Sequence, residues 1–524
     1  MNILMICTEK LPVPPVLGGA IQTYIAGALP YLSKQHTITV LGVNDPSLPD
    51  EEMIDGVRYV RVPGKVFEVY REAVMSFVAT ETFDLIHIFN RPRLVLPIRT
   101  VAPQSKITLS MHNDMFQPAK IDPDMATAAL NEVSRIVTVS DYVGNVIREL
   151  YPQADQKIST IYSGVDINRF LPGDHSKMKS VRNQLRREND LEGKTVLLFA
   201  GRLSRNKGVD KLVQALPELA KKHKDLALVI VGSKWFSQEG VTDYVAYVRA
   251  LANRLPVPVV TTGFISPADI QQWYAAADVF VCTSIWQEPL ARVHYEAMAA
   301  GLPIVTTARG GNPEVIVEGE NGLIVEDPTD PNQFVNKVDQ VLSNRSSMKK
   351  MGQYGRAMAE SKFTWDRVGA QILEMWTRAV TEEVDLETNV ELEAIVEYTE
   401  PVTTTATPSA LRMEPVKAKT NQEPIQEPMK EEKVKNQPTK PEQSAPVQDD
   451  KQQHQEETVN TVVSNSVKLH YNVAIDIWGD PLSRQPDEDD WGREDDVWGD
   501  EAVNELKEDC CDNWEKQPVN PFDK

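Results

Sequence analysis

Short apolar runs alternate with segments of helical periodicity from the first residue onward. Seven runs in the first third of the chain have the length and composition of buried strands: 2–6, 37–43, 57–62, 85–89, 107–111, 135–139 and 158–161. Helical spacing of apolar residues occurs between several of them, at 19–33, 125–133 and 142–150. Continuous apolar strands joined through helices predict βαβ units and a mostly parallel sheet that is covered on both faces.

The alternation begins again after a polar, charged stretch. Six further strand patterns lie at 196–200, 226–231, 259–262, 279–283, 304–307 and 322–325, with helical patterns at 209–223, 244–253, 268–277 and 290–300. We therefore expect an α/β protein with two tandem Rossmann-like domains and an interdomain cleft at the carboxyl ends of both sheets. The predicted organisation is an N-terminal domain at 1–172, a linker at 173–194, a C-terminal domain at 195–360, a helix at 361–381 that packs back on the N-terminal domain, and a disordered acidic tail at 382–524.

Charge is distributed unevenly along the chain. Residues 381–524 hold 35 of the 76 acidic and 14 of the 55 basic side chains, a balance of −21 that equals the net charge of the whole chain. Residues 1–380 are therefore neutral overall, and the acidity says nothing about their ligands. Residues 401–470 are rich in Pro, Gln, Thr, Glu and Lys, which predicts disorder. Four tryptophans among acidic residues follow, and we interpret them as short docking tags: Trp478, Trp491, Trp498 and Trp514.

The cysteines and the N-terminus indicate a cytoplasmic protein. Cys7, Cys282, Cys510 and Cys511 follow neither a disulfide framework nor the spacing of a zinc site. The first residues lack the basic region of a signal peptide, and no apolar run approaches the ~20 residues of a membrane span. No carboxylate–histidine spacing indicates a metal site.

Two carboxylates eight positions apart make 288–303 the most informative stretch of the chain. Glu288 precedes an apparent helix and Glu296 lies inside it, and the helix ends at Gly301, two residues before Pro303. Both carboxylates can then converge on one ligand at the mouth of the second sheet. A general acid and base of a hydrolase, and surface glutamates without function, remain alternatives.

Three loops that follow predicted strands are candidates to bind phosphate. Glycines let a ligand approach the backbone, and the free N–H groups of a helix start favour an anion. Two cations near the cleft can hold a pyrophosphate and neutralise the charge of a departing nucleoside diphosphate. Ordinary tight turns and solvated basic residues remain the alternatives for each loop taken alone. The candidates are Gly18 and Gly19, Arg202 and Lys207, and Gly310 and Gly311.

A histidine closes one strand pattern of the N-terminal domain. His112 follows the apolar run 107–111, so its side chain should face the interdomain cleft. It can hydrogen-bond a transferred sugar there, or it can be a structural histidine.

As a set, these motifs resemble those of glycosyltransferase family 4. The matching pieces cover nearly all of residues 1–380: Gly18-Gly19, Val139-Ser140, Ser163-Gly-Val-Asp166 with Phe170, Gly201-Arg202, Lys207-Gly208, Glu288 with Glu296, and Gly310-Gly311. The resemblance implies a GT-B fold and transfer of a sugar from a nucleotide donor with retention of anomeric configuration. It also implies that no metal or other cofactor is needed.

The same resemblance implies a role for each candidate. Arg202 and Lys207 would bind the diphosphate, Glu296 the ribose and Glu288 the donor sugar, with His112 beside the reaction centre. We therefore take His112 and Glu288 as the catalytic candidates, and the three loops with both glutamates as the donor-binding set. The string Pro289-Leu-Ala-Arg292 replaces the usual Gly-Phe-Gly of the family and is similar to its spore-coat-associated branch. That departure bears on the choice of donor sugar.

The expected function is that of a retaining hexosyltransferase. It would move a hexose from a nucleotide-diphosphate sugar to the hydroxyl of a glycan or protein acceptor, in spore-coat or cell-surface glycan formation. The tail would recruit spore coat proteins, and neither nucleic acid nor a membrane span is expected. One alternative is a structural spore-coat protein that keeps a transferase fold for assembly. Another is a nucleotide-sugar epimerase or hydrolase on the same fold.

Overall fold

The computed structural model describes residues 1–233 and 242–382, so the predicted tail beyond Glu382, with its tryptophans, lies outside the described residues. The first of two sheets has eight strands in the order β3-β4-β2-β1-β5-β6-β7-β8. Their bounds are β1 (Asn2–Ile6), β2 (Thr37–Val43), β3 (Glu51–Ile54), β4 (Val57–Val62), β5 (Leu85–Phe89), β6 (Lys106–Met111), β7 (Arg135–Thr138) and β8 (Ile158–Thr160).

Burial along β1 shows that this sheet is covered on both faces. Residues 3–6 are all fully buried, whereas a strand with one solvated face would alternate. β1 pairs in parallel with β2 and with β5, and only the edge pair of β3 and β4 is antiparallel. A tight turn joins that pair, with Asp55 and Gly56 at φ 49° and 80°.

Five helices connect the strands of this N-terminal domain: α1 (Ala20–Leu32), α2 (Phe67–Val78), α3 (Val95–Val101), α4 (Pro123–Glu132) and α5 (Asp141–Leu150). Side-chain oxygens cap two of them, because Asp122 accepts from the first turn of α4 and Ser140 from that of α5. The α5 cap turn follows β7 directly, so it lies at the carboxyl edge of the sheet.

The second sheet has six strands, all parallel, in the order β11-β10-β9-β12-β13-β14. The strands are β9 (Thr195–Ala200), β10 (Leu226–Val231), β11 (Val259–Gly263), β12 (Val279–Val281), β13 (Ile304–Thr307) and β14 (Gly322–Val325). β9 and β12 lie side by side at its centre, and from them the successive strands are added outward in opposite directions, β10 and β11 on one side and β13 and β14 on the other. This is the switch point at which doubly wound sheets bind ligands.

In the described residues, seven α-helices accompany this C-terminal domain: α6 (Ser176–Glu188), α7 (Val209–Lys222), α8 (Asp243–Ala252), α9 (Ile270–Ala276), α10 (Val293–Ala299), α11 (Pro331–Leu342) and α12 (Arg345–Lys362). The first lies inside 173–194, the stretch predicted as a linker. It is held by charge, since Arg182 and Arg186 each donate to the carboxylate of Asp278 at 2.5 Å.

The last described helix, α13 (Trp365–Thr381), packs on the N-terminal domain against α1. Its buried face joins the core that contains Tyr24 and Ile25, through Val368, Ile372, Met375, Trp376 and Ala379. The indole of Trp365 fills the space beside Gly27, where a Cβ would lie 2.2 Å from the ring. The N-terminal domain is therefore completed by residues that follow the C-terminal domain in the sequence.

The predicted α/β class with two parallel sheets is confirmed by these topologies. Among the described helices, none combines the length and the apolar character that crossing a membrane requires.

Candidate functional site

The loop after β9 brings the predicted cations to the switch point of the second sheet. Gly208 begins α7 in the left-handed conformation, at φ 61°, and a Cβ there would meet the carbonyl oxygen of Thr283 at 2.5 Å. Only glycine allows this approach. Arg202 and Lys207, on the same loop, are both partly buried.

Lys207 and Glu288 form a buried ion pair at this point. The ammonium of Lys207 bonds to Oε1 of Glu288, and their side chains are 17% and 5% exposed. Ser284 donates to the same oxygen at 2.7 Å. Burial by itself would raise the pKa of Glu288, but the charge of Lys207 and hydrogen bonds from Lys207, Ser284 and Trp286 outweigh it, so the pKa lies below its ordinary value. Glu288 is therefore an anion at neutral pH.

Glu296 lies on α10 as the sequence pattern predicts, with each oxygen near a different group. The hydroxyl of Tyr274 donates to Oε2 at 2.8 Å, and the guanidinium of Arg292 lies 3.9 Å from Oε1. Arg292 also donates to Oγ of Ser163 at 2.7 Å, in the segment that leaves the N-terminal domain. This carboxylate therefore lies next to the junction of the two domains.

The glycine loop after β13 bonds to the chain around Glu288. Gly310 donates its N–H to Oε1 of Gln287 at 2.6 Å, and Gly311 donates to the carbonyl oxygen of Glu288 at 2.8 Å. Gly310 has φ 56°, and a Cβ on it would lie 1.9 Å from that carbonyl oxygen. In this structure both N–H groups hold the loop against Glu288; contact of the loop with a donor remains a prediction.

Gly18 and Gly19 directly precede α1, in the loop that follows the carboxyl end of β1. Both have left-handed backbones, at φ 88° and 102°. Gln22, one turn into the helix, donates to the carbonyl oxygen of Leu11 at 3.0 Å and to Oγ1 of Thr8 at 3.2 Å. These bonds fix the preceding loop against the helix start.

His112 is a buried, neutral histidine at the carboxyl end of β6. Burial, with a smaller effect of His87 and Arg292, lowers the pKa of His112 to about 3. Its Nε2 is 3.1 Å from Oγ of Ser110, and its ring lies edge-on to Tyr24 at 4.8 Å between centroids. Tyr24 also lies against Trp365, whose ring is 5.4 Å from the guanidinium of Arg292, so His112 lies near the second domain. At neutral pH it can exchange hydrogen bonds but carries no charge.

The structure brings some of the predicted residues into direct contact and keeps others apart. Lys207, Glu288 and the two glycines 310 and 311 form one bonded cluster in the C-terminal domain. Glu296 lies on the adjoining helix. Gly18, Gly19 and His112 belong to the N-terminal domain and are bonded within it.

Sequence reasoning missed several buried polar residues that shape this edge. Asn90, at φ 54°, accepts the backbone N–H groups of His112 and Asn113 on Oδ1 at 3.0 and 2.9 Å, which holds the histidine in place. Next to it, Arg91 binds both oxygens of the buried Glu9 at 2.6 and 2.7 Å. An asparagine directly after a strand, a residue type that tolerates the left-handed region, was the available signal.

The described parts of the chain, 1–233 and 242–382, contain no group of three or more His, Cys, Asp or Glu side chains placed to hold a metal ion.

Two family models match the chain in tandem. The model of glycosyltransferase family 4 matches residues 18–169, and that of glycosyl transferases group 1 matches residues 181–358. Spore coat protein SA of Bacillus subtilis is 44% identical over 378 residues, which cover 72% of this chain and all of that protein. YtcC of the same species is 41% identical over 381 residues, or 73% of this chain and 93% of YtcC.

Solved structures show the same architecture. Anabaena Alr3699/HepE in complex with UDP-glucose superposes with a TM-score of 0.57 at 22% identity, covering 72% of this chain and 99% of that one. Fold and site thus define a two-domain glycosyltransferase of the GT-B type. The chain belongs to glycosyltransferase family 4. The predicted family and fold are confirmed.

Proposed function

We propose that this glycosyltransferase moves a hexose from a nucleotide-diphosphate sugar to an acceptor hydroxyl with retention of anomeric configuration. The observation that carries the proposal is the buried Lys207–Glu288 pair at the switch point of the C-terminal sheet. It supplies a cation for a diphosphate and an ionised carboxylate for sugar hydroxyls within one bonded cluster. No metal is required in this proposal, and transfer that survives EDTA would support it.

Each residue has a stated part in the proposed reaction. Arg202 and Lys207 stabilise the charge that grows on the diphosphate as the bond to the sugar breaks. Glu296 accepts the ribose hydroxyls and Glu288 those of the hexose. The acceptor hydroxyl attacks from the face that the diphosphate leaves and passes its proton to the departing diphosphate, and the neutral imidazole of His112 can hydrogen-bond the sugar on the side of the N-terminal domain. Gly18, Gly19, Gly310 and Gly311 let the donor approach the backbone.

A donor panel with a matched arginine control tests this assignment. The full-length protein is given UDP-, GDP- and ADP-hexoses, beginning with UDP-glucose, the molecule named in the Anabaena Alr3699/HepE complex. Arg202→Ala should lower transfer roughly 100-fold or more, whereas Arg205→Ala, at an exposed position of the same loop, should not. Unchanged transfer in Arg202→Ala would contradict the proposed clamp, by which we mean the binding of the diphosphate by Arg202 and Lys207. NMR of the product shows whether the anomeric configuration is retained.

The acceptor is proposed to belong to spore-coat or cell-surface glycans, with the enzyme acting from the cytoplasm. The support is the 44% identity to a protein named as a spore coat protein. The same identity favours a second candidate, a structural coat component with a transferase fold; in that candidate residues 383–524 would dock other coat proteins, a role on which the 378 matched residues do not bear. Deleting those residues separates the two: loss of coat recruitment with transfer intact supports docking by the tail, and recruitment that persists rules it out.

A further inference from the structure

One carboxylate of the C-terminal domain caps a helix of the N-terminal domain. Glu314 lies in the turn after the glycine loop, and its two oxygens accept the backbone N–H groups of Asp141 and Tyr142 at 2.8 and 2.7 Å. These are the first two residues of α5. Ser140 takes the next N–H group, that of Val143, at 3.2 Å.

This cap is complete only while the two domains are in contact. The first N–H groups of a helix have no partner within the helix, and an anion at that end also interacts favourably with the helix dipole. Here the acceptor comes from 173 positions away in the chain. If the domains separate, both N–H groups and the carboxylate must turn to water instead.

The capping turn is also joined to the chain around Glu288. Gly311 donates to the carbonyl oxygen of Glu288, and a Cβ on Gly311 would lie 2.8 Å from that of Ser140, the N-cap of α5. Asn312 accepts the N–H of Ala291 at 3.1 Å, within the string between the two glutamates. The N-terminal domain therefore touches the loop that holds Glu288 directly.

Other groups around Glu314 make its position costly. The neighbouring carboxylate of Asp141 accepts from Oγ1 of Thr160 at 2.6 Å and from the hydroxyl of Tyr162 at 3.1 Å. Burial, together with Asp141, raises the pKa of Glu314, although the two backbone N–H groups and Tyr162 act the other way. Glu314 therefore caps α5 even though burial and Asp141 disfavour its charged form.

We propose that Glu314 is a positioning residue, which caps α5 across the cleft and thereby holds the 310–314 loop and Glu288 in place for the donor sugar when the domains meet. The inference rests on the proposed function of Glu288. Its physical core, the coupling of the α5 cap to the Glu288 loop, does not depend on which donor is used.

Hydrogen exchange of the ligand-free, full-length protein tests the coupling. Mass spectrometry with fragmentation follows the amides of Asp141 and Tyr142 at the cap, and those of Gly310 and Gly311 in the loop. Glu314→Ala should speed exchange at the cap roughly tenfold or more, because each bond lost there involves a charged group. It should also speed exchange at Gly310 and Gly311, because their loop loses its anchor on α5. Glu314→Gln keeps one carbonyl acceptor and should show a smaller effect. Glu318→Gln is the matched control, since that carboxylate pairs within its own domain, with Lys337.

The exchange results separate the possible outcomes. Faster exchange at the cap alone, with Gly310 and Gly311 unchanged, would mean a local helix cap and overturn the proposal. Unchanged exchange at both places would also overturn it. Faster exchange at both, with Glu318→Gln like the wild type, is the expected result.

A kinetic measurement with UDP-glucose as the probe adds a readout that loss of stability would not mimic. Glu314→Ala should raise KM for the donor roughly tenfold, because an unheld loop must be ordered on binding, with a smaller change in kcat. A fall in kcat at constant KM would contradict positioning of the donor loop. If the wild type transfers no sugar from UDP-glucose, that choice of donor is wrong, and the exchange experiment still decides the coupling.

Discussion

Replacing Lys207 by methionine would leave the carboxylate of Glu288 without its cation. The side chain of Glu288 is 5% exposed, and the neutral donors Ser284 and Trp286 cannot compensate its charge. Breaking a buried ion pair from one side costs about 3–5 kcal/mol, because the remaining charge stays buried and unpaired. The 17% exposure of Lys207 lets some water reach the remaining carboxylate, so we expect about 3 kcal/mol.

The double variant Lys207→Met with Glu288→Gln makes the prediction specific. The glutamine has no charge to compensate, and its carbonyl oxygen can still accept from Ser284. Stability should therefore return to within about 1 kcal/mol of the wild type. Neither variant should transfer sugar, because both lack the ammonium of Lys207 that binds the diphosphate in the proposed function. The double variant should thus recover stability without recovering activity.

Urea denaturation followed by tryptophan fluorescence measures these free energies of unfolding. Lys221→Met is the control, because Lys221 forms an ion pair with Glu218 in which the side chains are 69% and 53% exposed. Such a pair contributes about 0–1 kcal/mol. If Lys207→Met destabilises no more than the control, or if the double variant is as unstable as the single one, Lys207 does not compensate a buried charge on Glu288.

Three further predictions concern a close backbone approach, two buried histidines and the packing of a tryptophan. Gly310→Ala should cost about 2 kcal/mol or more and reduce transfer, because its Cβ would meet the backbone of Glu288 at 1.9 Å and φ is 56°; urea denaturation and a transfer assay check it. Burial lowers the pKa values of His87 and His112 to about 3, so unfolding takes up protons below about pH 6.5. From pH 7 to pH 5 the free energy of unfolding should therefore fall by about 2 kcal/mol per histidine, and His87→Gln should halve this fall. Trp365→Ala should cost about 3–5 kcal/mol, seen as a lower urea midpoint, and an unchanged midpoint would contradict its packing role.

Much of the fold was predictable because buried parallel strands are continuous apolar runs. All six strand patterns of the second half and the seven of the first correspond to strands. The helix α6 was not predicted, because ion pairs with Asp278 and not apolar packing hold it in place. Met178 is its one buried residue in the described structure. The buried face of helix α12 includes Gly352 and Gly355 between Met351 and Met358, and these small residues weaken its hydrophobic period. The edge strand β3, with the pattern Glu-Glu-Met-Ile, is too polar to stand out.

The candidate site was predictable to the level of position but not of pairing. The spacing of Glu288 and Glu296 indicated one loop and one helical carboxylate, as the structure has them. Lys207 and Glu288 are 81 positions apart, so their ion pair could only come from the fold. The bond from Glu314 to α5 spans 173 positions and involves backbone groups, which no side-chain pattern reveals. The neutrality of His112 depends on burial in three dimensions.

The packing of α13 on α1 has a consequence for how the chain matures on the ribosome. The N-terminal sheet ends at Thr160, but the helix that covers α1 ends at Thr381, about 220 residues and roughly 10 to 45 s of synthesis later. Throughout that interval the surface around Tyr24 and Gly27 lacks its cover. A message truncated before Trp365 would therefore release a domain with an exposed apolar face, the kind of surface that promotes aggregation and recruits chaperones. The two domains of this enzyme therefore reach maturity together, once the chain has been synthesised as far as Thr381.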